Sequence, residues 1–108
     1  MRRLTYLIAV ALLAIVILAP NAGAQQNRTV SIQDFNFSPA TITVKPGTTV
    51  TWVNQGKAHH TVTHDGGAFG SKTLHPGQSY SHKFNKAGSY AYHCEIHPSM
   101  TGTIVVGG

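Results

Sequence analysis

The chain has 108 residues, a formal net charge of +5 with neutral histidines, and one cysteine. This length allows one domain, and a single thiol excludes an intrachain disulfide, C-x-x-C-H haem attachment and an iron–sulfur cluster. Residues 25–108 keep six Lys or Arg and three Asp or Glu, without any basic run, so nucleic acid is not an expected partner.

The first 24 residues have the pattern of an export signal. Arg2 and Arg3 precede an apolar run over 7–19, and Ala22-Gly23-Ala24 supplies an A-x-A cleavage site. That run is short for a membrane-spanning helix, which takes about 20 residues. We therefore predict a signal peptide over 1–24 and a domain over 25–108 that is exported to the periplasm or the outer face of the membrane. An uncleaved membrane anchor is the alternative.

The rest of the chain is patterned for β-strands, because apolar and polar residues alternate in short runs between Pro and Gly turns. The predicted strands cover 29–35, 40–44, 49–53, 59–64, 72–74, 80–84, 89–94 and 101–106. The aromatic residues predicted to fill the core are Phe35, Phe37, Trp52, Tyr90 and Tyr92. Seven or eight strands at this spacing predict an all-β fold, a Greek-key antiparallel β-sandwich.

The one cysteine lies among other metal-binding side chains. His97 and Met100 follow Cys94 at steps of three residues, and His60 lies 34 residues upstream. Two His, one Cys and a weak axial Met form the ligand set of a blue-copper electron-transfer site. A lone cysteine is more often a buried inert thiol, but the side chains that follow Cys94 favour a metal ligand.

The chain has seven histidines, more than one such site requires. His59 and His60 would face opposite sides of a strand, and this alternation favours His60 as a ligand only weakly. His93 should point away from a metal held by Cys94. The histidines predicted to be solvated are His64, His75 and His82. A second, surface copper site built from these three and His59 is the alternative.

Residues 90–100, Tyr-Ala-Tyr-His-Cys-Glu-Ile-His-Pro-Ser-Met, are similar to the amicyanin motif Y-x-Y-H-C-x-x-H-P-x-M. Residues 52–62 resemble the segment that carries the first histidine ligand of the same family. The chain thus resembles the plastocyanin/azurin family of cupredoxins, and within it the amicyanins, over essentially all of 25–108. The resemblance implies that one copper ion, cycling between Cu(I) and Cu(II), is bound by His60, Cys94, His97 and Met100.

The resemblance also implies a function. We expect a one-electron carrier that is a monomer, is not an enzyme and has no small-molecule substrate. Redox partner proteins would dock near His97, and the membrane would be contacted only through an uncleaved signal segment. Copper storage or delivery outside the cytoplasm is the alternative.

Two positions depart from the family pattern next to the first ligand. Thr61 stands where amicyanin and plastocyanin have an Asn that ties the two ligand loops together, and His59 stands where amicyanin has Pro. Both substitutions bear on the stiffness and the reduction potential of the site, and neither changes the expected ligand set.

Overall fold

A computed structural model describes residues 26–107, and the predicted signal peptide lies outside these residues. Eight strands run in chain order. They are β1 (Asn27–Gln33), β2 (Asn36–Ser38), β3 (Thr41–Val44), β4 (Thr48–Asn54), β5 (Thr63–His64), β6 (Ser79–Phe84), β7 (Gly88–His93) and β8 (Thr101–Val106). The described residues include no helix that could span a membrane.

The strands form two four-stranded sheets, which confirms the predicted all-β sandwich. One sheet has the order β2-β1-β4-β6 and the other β3-β8-β7-β5. Both sheets are mixed rather than purely antiparallel, because β1 runs parallel to β4 and β3 runs parallel to β8. The chain crosses to the second sheet at β3 and returns at β4, so these partners are neighbours in space but not in sequence.

The core fills the space between the sheets. Val30, Ile32, Val50 and Trp52 are completely buried, at alternate positions of β1 and β4. Trp52 is the centre of an aromatic group, with the Tyr92 ring edge-on at 5.4 Å between centroids. Burying a side chain of this kind contributes about 1.5–3 kcal/mol to the stability.

The predicted strand over 59–64 is largely absent, because only β5 at its end pairs regularly with β7. The backbone N–H of Thr61 donates to Cys94 Sγ at 3.3 Å, and that of Val62 donates to a serine hydroxyl at 2.9 Å. Side chains from elsewhere in the chain therefore replace the strand partners that the sequence pattern suggested.

Two other short segments also differ from the prediction. In 72–74, only Leu74 makes a β-bridge, to His60. Asn36–Ser38, which lies between the first two predicted strands, instead pairs with β1 as β2. The first of these differences places His60 beside Leu74.

Candidate metal centre

The loop from Cys94 to Met100 connects β7 to β8 and is closed on itself. Cys94 N donates to Met100 O at 3.1 Å, and Met100 N donates to His97 O at 2.9 Å. Cys94 and Met100 are buried, whereas His97 is partly exposed. Three of the four predicted ligands therefore come from one short loop, with His97 on its outer side.

The fourth predicted ligand, His60, reaches this loop from the middle of the chain. It is completely buried, and its Nδ1 lies 3.8 Å from Cys94 Sγ. The ring centroids of His60 and His97 are 5.2 Å apart. A nitrogen and a sulfur atom bound to one ion, with bonds of about 2.0 Å and 2.3 Å, are separated by a distance similar to that between His60 Nδ1 and Cys94 Sγ. The fold thus brings His60, Cys94 and His97 together.

Within residues 26–107, however, no group of three or more His, Cys, Asp or Glu side chains is already positioned to hold a metal ion. Binding an ion would therefore require some of these side chains to shift. The donor chemistry still fits copper, because a thiolate and a thioether suit Cu(I) and imidazoles suit both oxidation states.

Asp34 fixes the orientation of the His60 ring, a role that the sequence did not suggest. Its Oδ1 lies 3.0 Å from His60 Nε2. A carboxylate only accepts hydrogen bonds, so His60 Nε2 donates to Asp34, and Nδ1 is the ring nitrogen that lies towards Cys94. No sequence motif relates these two residues, which are 26 positions apart. Asp34 reaches His60 because it lies in the turn between β1 and β2.

The carboxylate of Asp34 is itself held by the chain. The backbone N–H of Lys57, the His60 ring and the backbone N–H of Ala58 together lower the pKa of Asp34 from 3.8 to about 2. The two backbone donors lie 3.0–3.1 Å from its oxygens. Asp34 is therefore an anion at neutral pH, and it joins the β1–β2 turn to the segment leading to His60.

Thr61 joins the two segments that carry the candidate ligands. Its backbone N–H donates to Cys94 Sγ, and its hydroxyl accepts from the backbone N–H of Glu95 at 2.8 Å. The shorter side chain thus makes the type of connection that the family resemblance assigns to Asn.

His93 turns away from the centre, as the alternation along the strand predicts. Its Nδ1 lies 2.6 Å from Asp65 Oδ1, while the neighbouring Cys94 thiol faces the core. The side chains of His93 and Cys94 therefore point in different directions.

The remaining histidines form two separate groups rather than one cluster. The rings of His59 and His75 contact each other, with centroids 4.1 Å apart. The rings of His64 and His82 instead each stack on the Phe69 ring, with centroid distances of 4.9 and 4.8 Å. Burial, and secondarily the proximity of His64, lowers the pKa of His82.

An apolar surface surrounds the exposed edge of His97. Phe35 is 67% exposed and Ile96 is 45% exposed, so the prediction that Phe35 belongs to the core is wrong. The Phe35 ring meets the His97 ring edge-on at 5.2 Å. Phe35 also has a φ of 75°, a strained backbone conformation for a bulky residue.

Solved structures and characterised proteins resemble this chain. A plastocyanin from Scenedesmus fuscus is 42% identical over 65% of this chain and 85% of its own length. Amicyanin from Paracoccus denitrificans is 38% identical over 71% of this chain, which spans 63% of that protein. An amicyanin mutant in its Cu(I) form superposes with a TM-score of 0.70 at 34% identity, over 80% of this chain and 87% of that one.

A purple cupredoxin from Nitrosopumilus maritimus also superposes, with a TM-score of 0.70 at 28% identity. The match covers 74% of this chain and 99% of that one. The family model described as a cupredoxin-like domain matches residues 6–106, nearly the whole sequence. Together with the sandwich and the proximity of His60 to Cys94 and to His97, this match shows that the chain belongs to the cupredoxin family.

Proposed function

We propose that this cupredoxin is a blue copper protein that carries single electrons between redox proteins outside the cytoplasm. The ligands would be His60, Cys94, His97 and Met100. The observation that supports this most directly is the buried Cys94 thiol, 3.8 Å from His60 Nδ1. The similarity to plastocyanin and to amicyanin, one form of which was solved with Cu(I), supports the same function.

Copper, when bound, supplies a one-electron couple between Cu(II) and Cu(I). The chain's own residues would hold the candidate ligands in the same positions for both oxidation states. Asp34 fixes the His60 ring, and the Thr61 N–H donates to the Cys94 sulfur and withdraws electron density from it. The loop over 94–100 is closed by hydrogen bonds between its own backbone groups. Little rearrangement of the loop should therefore be needed when the charge of the ion changes.

The partner would dock on the apolar surface formed by Phe35, Ile96 and the edge of His97. This surface is the place where a candidate ligand reaches the outside of the molecule. An exposed aromatic residue with a strained backbone costs stability, so the position of Phe35 beside His97 supports a role in contact with a partner. The export signal predicted over 1–24 supports a location outside the cytoplasm.

Optical and paramagnetic-resonance spectra of the copper-loaded protein test this function. We expect an intense visible band from sulfur-to-copper charge transfer. Cys94→Ser should abolish that band, because a hydroxyl cannot replace the thiolate. Met100→Gln should keep the band and lower the reduction potential.

His93→Ala is the matched control, since His93 is adjacent to Cys94 but pairs with Asp65. It should keep the colour. A strong charge-transfer band in Cys94→Ser would contradict the proposal. Rapid loss of the copper to a mild chelator would instead favour storage or delivery.

A further inference from the structure

The contact between His59 and His75 is not explained by the copper centre. Both side chains are exposed, and their ring centroids are only 4.1 Å apart at an interplanar angle of 61°. They come from two segments that are separated by 16 positions in the sequence. The fold therefore places two imidazole rings side by side on the solvent-exposed surface.

The β-bridge between His60 and Leu74 sets this arrangement. His60 N donates to Leu74 O at 3.1 Å, and Leu74 N donates to His60 O at 2.7 Å. In an antiparallel bridge, the next residues along, His59 and His75, form a pair without backbone hydrogen bonds, in which side chains approach most closely. His60 is buried, so alternation points His59 to the surface.

Buried and turn hydrogen bonds hold both backbones in place. The side-chain amide of Asn54 donates to Ala58 O and to Leu74 O, each at 2.9 Å, and so joins the two segments. Gln78 holds the other side, because its Oε1 accepts from His75 N at 2.9 Å and its own N–H donates to His75 O at 3.0 Å. The backbones of His59 and His75 are thus held in place, and only their side chains would need to adjust to bind a ligand together.

We propose that His59 and His75 form a second, solvent-facing metal site for a divalent transition-metal ion, with Cu(II) bound most tightly. Two metal–nitrogen bonds of about 2.0 Å would place the ring centroids on the order of 4.5–5 Å apart, close to the observed spacing. Copper(II) gives the strongest complexes of the first-row divalent ions with nitrogen ligands.

Water would complete the coordination, because His75 also lines an open surface cavity formed by 71–75 and 77–80. The second imidazole binds intramolecularly once the first has bound, so the pair should hold an ion far better than either histidine alone. This inference goes beyond electron transfer, since it adds a second ion outside the Cys94 centre.

The test is a calorimetric titration of Cu(II) into protein whose Cys94 site is already filled with Cu(II), followed by paramagnetic resonance. We expect one further ion, a new signal of a nitrogen-bound, non-blue Cu(II), and an unchanged blue band. His59→Ala and His75→Ala should each weaken binding of the second ion at least tenfold and leave the blue band in place, which also shows that each variant is folded.

His82→Ala is the control, because His82 stacks on Phe69 and not on the His59–His75 pair. It should bind the second ion as the unaltered protein does. Binding of no second ion, or equal binding by His59→Ala and His75→Ala, would overturn the inference. An absent blue band would contradict the proposed function instead, so the two failures are distinguishable.

Discussion

At the scale of single residues, Asp34 should set the electronic character of His60 without binding the ion. Its anionic carboxylate accepts from His60 Nε2, which makes the imidazole a stronger donor and favours Cu(II) over Cu(I). Asp34→Asn keeps an acceptor oxygen and removes the charge. We expect the reduction potential to rise by about 60 mV for each tenfold loss of affinity confined to Cu(II), as measured by a redox titration of the blue band.

Asp65→Asn is the matched control for this prediction. It removes the same charge beside His93, which is not a candidate ligand. Its potential should stay near that of the unaltered protein. Equal shifts in the two variants would mean that Asp34 acts only through the net charge of the molecule.

A second residue, Tyr92, makes the stability dependent on pH in alkaline solution. Burial raises its pKa from 10.0 to about 12, and the nearby Trp52 offsets this only in part. Within residues 26–107 its hydroxyl has no hydrogen-bond partner of good geometry. The unfolded chain loses this proton first, so stability is complete below pH 10 and falls as the pH rises towards 12.

The loss could reach roughly 2–3 kcal/mol for a shift of this size. Urea unfolding at several pH values measures it. Tyr92→Phe should show a flatter decline between pH 10 and 12, and little or no loss of stability at pH 7, because the hydroxyl is unpaired. The same slope in both proteins would assign the alkaline loss to other groups.

At the scale of elements, Gly102 leaves the space on β8 into which the Tyr92 side chain of β7 packs. It is paired directly with Tyr92 in the register of the two strands, and a Cβ at this position would collide with the Tyr92 ring and hydroxyl. Gly102→Ala should destabilise the protein by about 1–3 kcal/mol through overpacking, measured by urea unfolding. Thr101→Ala, at an exposed neighbouring position, should have little effect; equal losses would contradict this packing role.

The elements also show what the sequence could and could not predict. Strands such as β4 and β8, with regular alternation and partners that follow the pattern, were predictable to within a residue or two. Residues 59–64 were not, because the N–H groups of Thr61 and Val62 donate to side chains. A pattern of hydrophobicity records which face is buried, but not which distant group accepts a hydrogen bond.

At the scale of the whole molecule, most of the candidate ligands could be predicted from the sequence, whereas the residues around them could not. Cys94, His97 and Met100 lie within seven residues, so their spacing alone suggested a metal site. Asp34 and the surface contact of Phe35 with His97 depend on the β1–β2 turn reaching the loop after β7. That approach is produced by the sandwich, and no local pattern encodes it.

Copper should stabilise the whole domain, because His60 and the loop 94–100 come from distant parts of the chain and a shared ion would join them. An ion at 1,000 times its dissociation constant adds about 4 kcal/mol to the free energy of unfolding. For a domain of this size each kcal/mol corresponds to roughly 4–8 °C in Tm. Removing copper with a chelator should therefore lower the Tm measured by calorimetry by more than 10 °C. Cys94→Ser should show a much smaller dependence on copper, and an identical Tm of the unaltered protein with and without the ion would contradict a centre that joins the two segments.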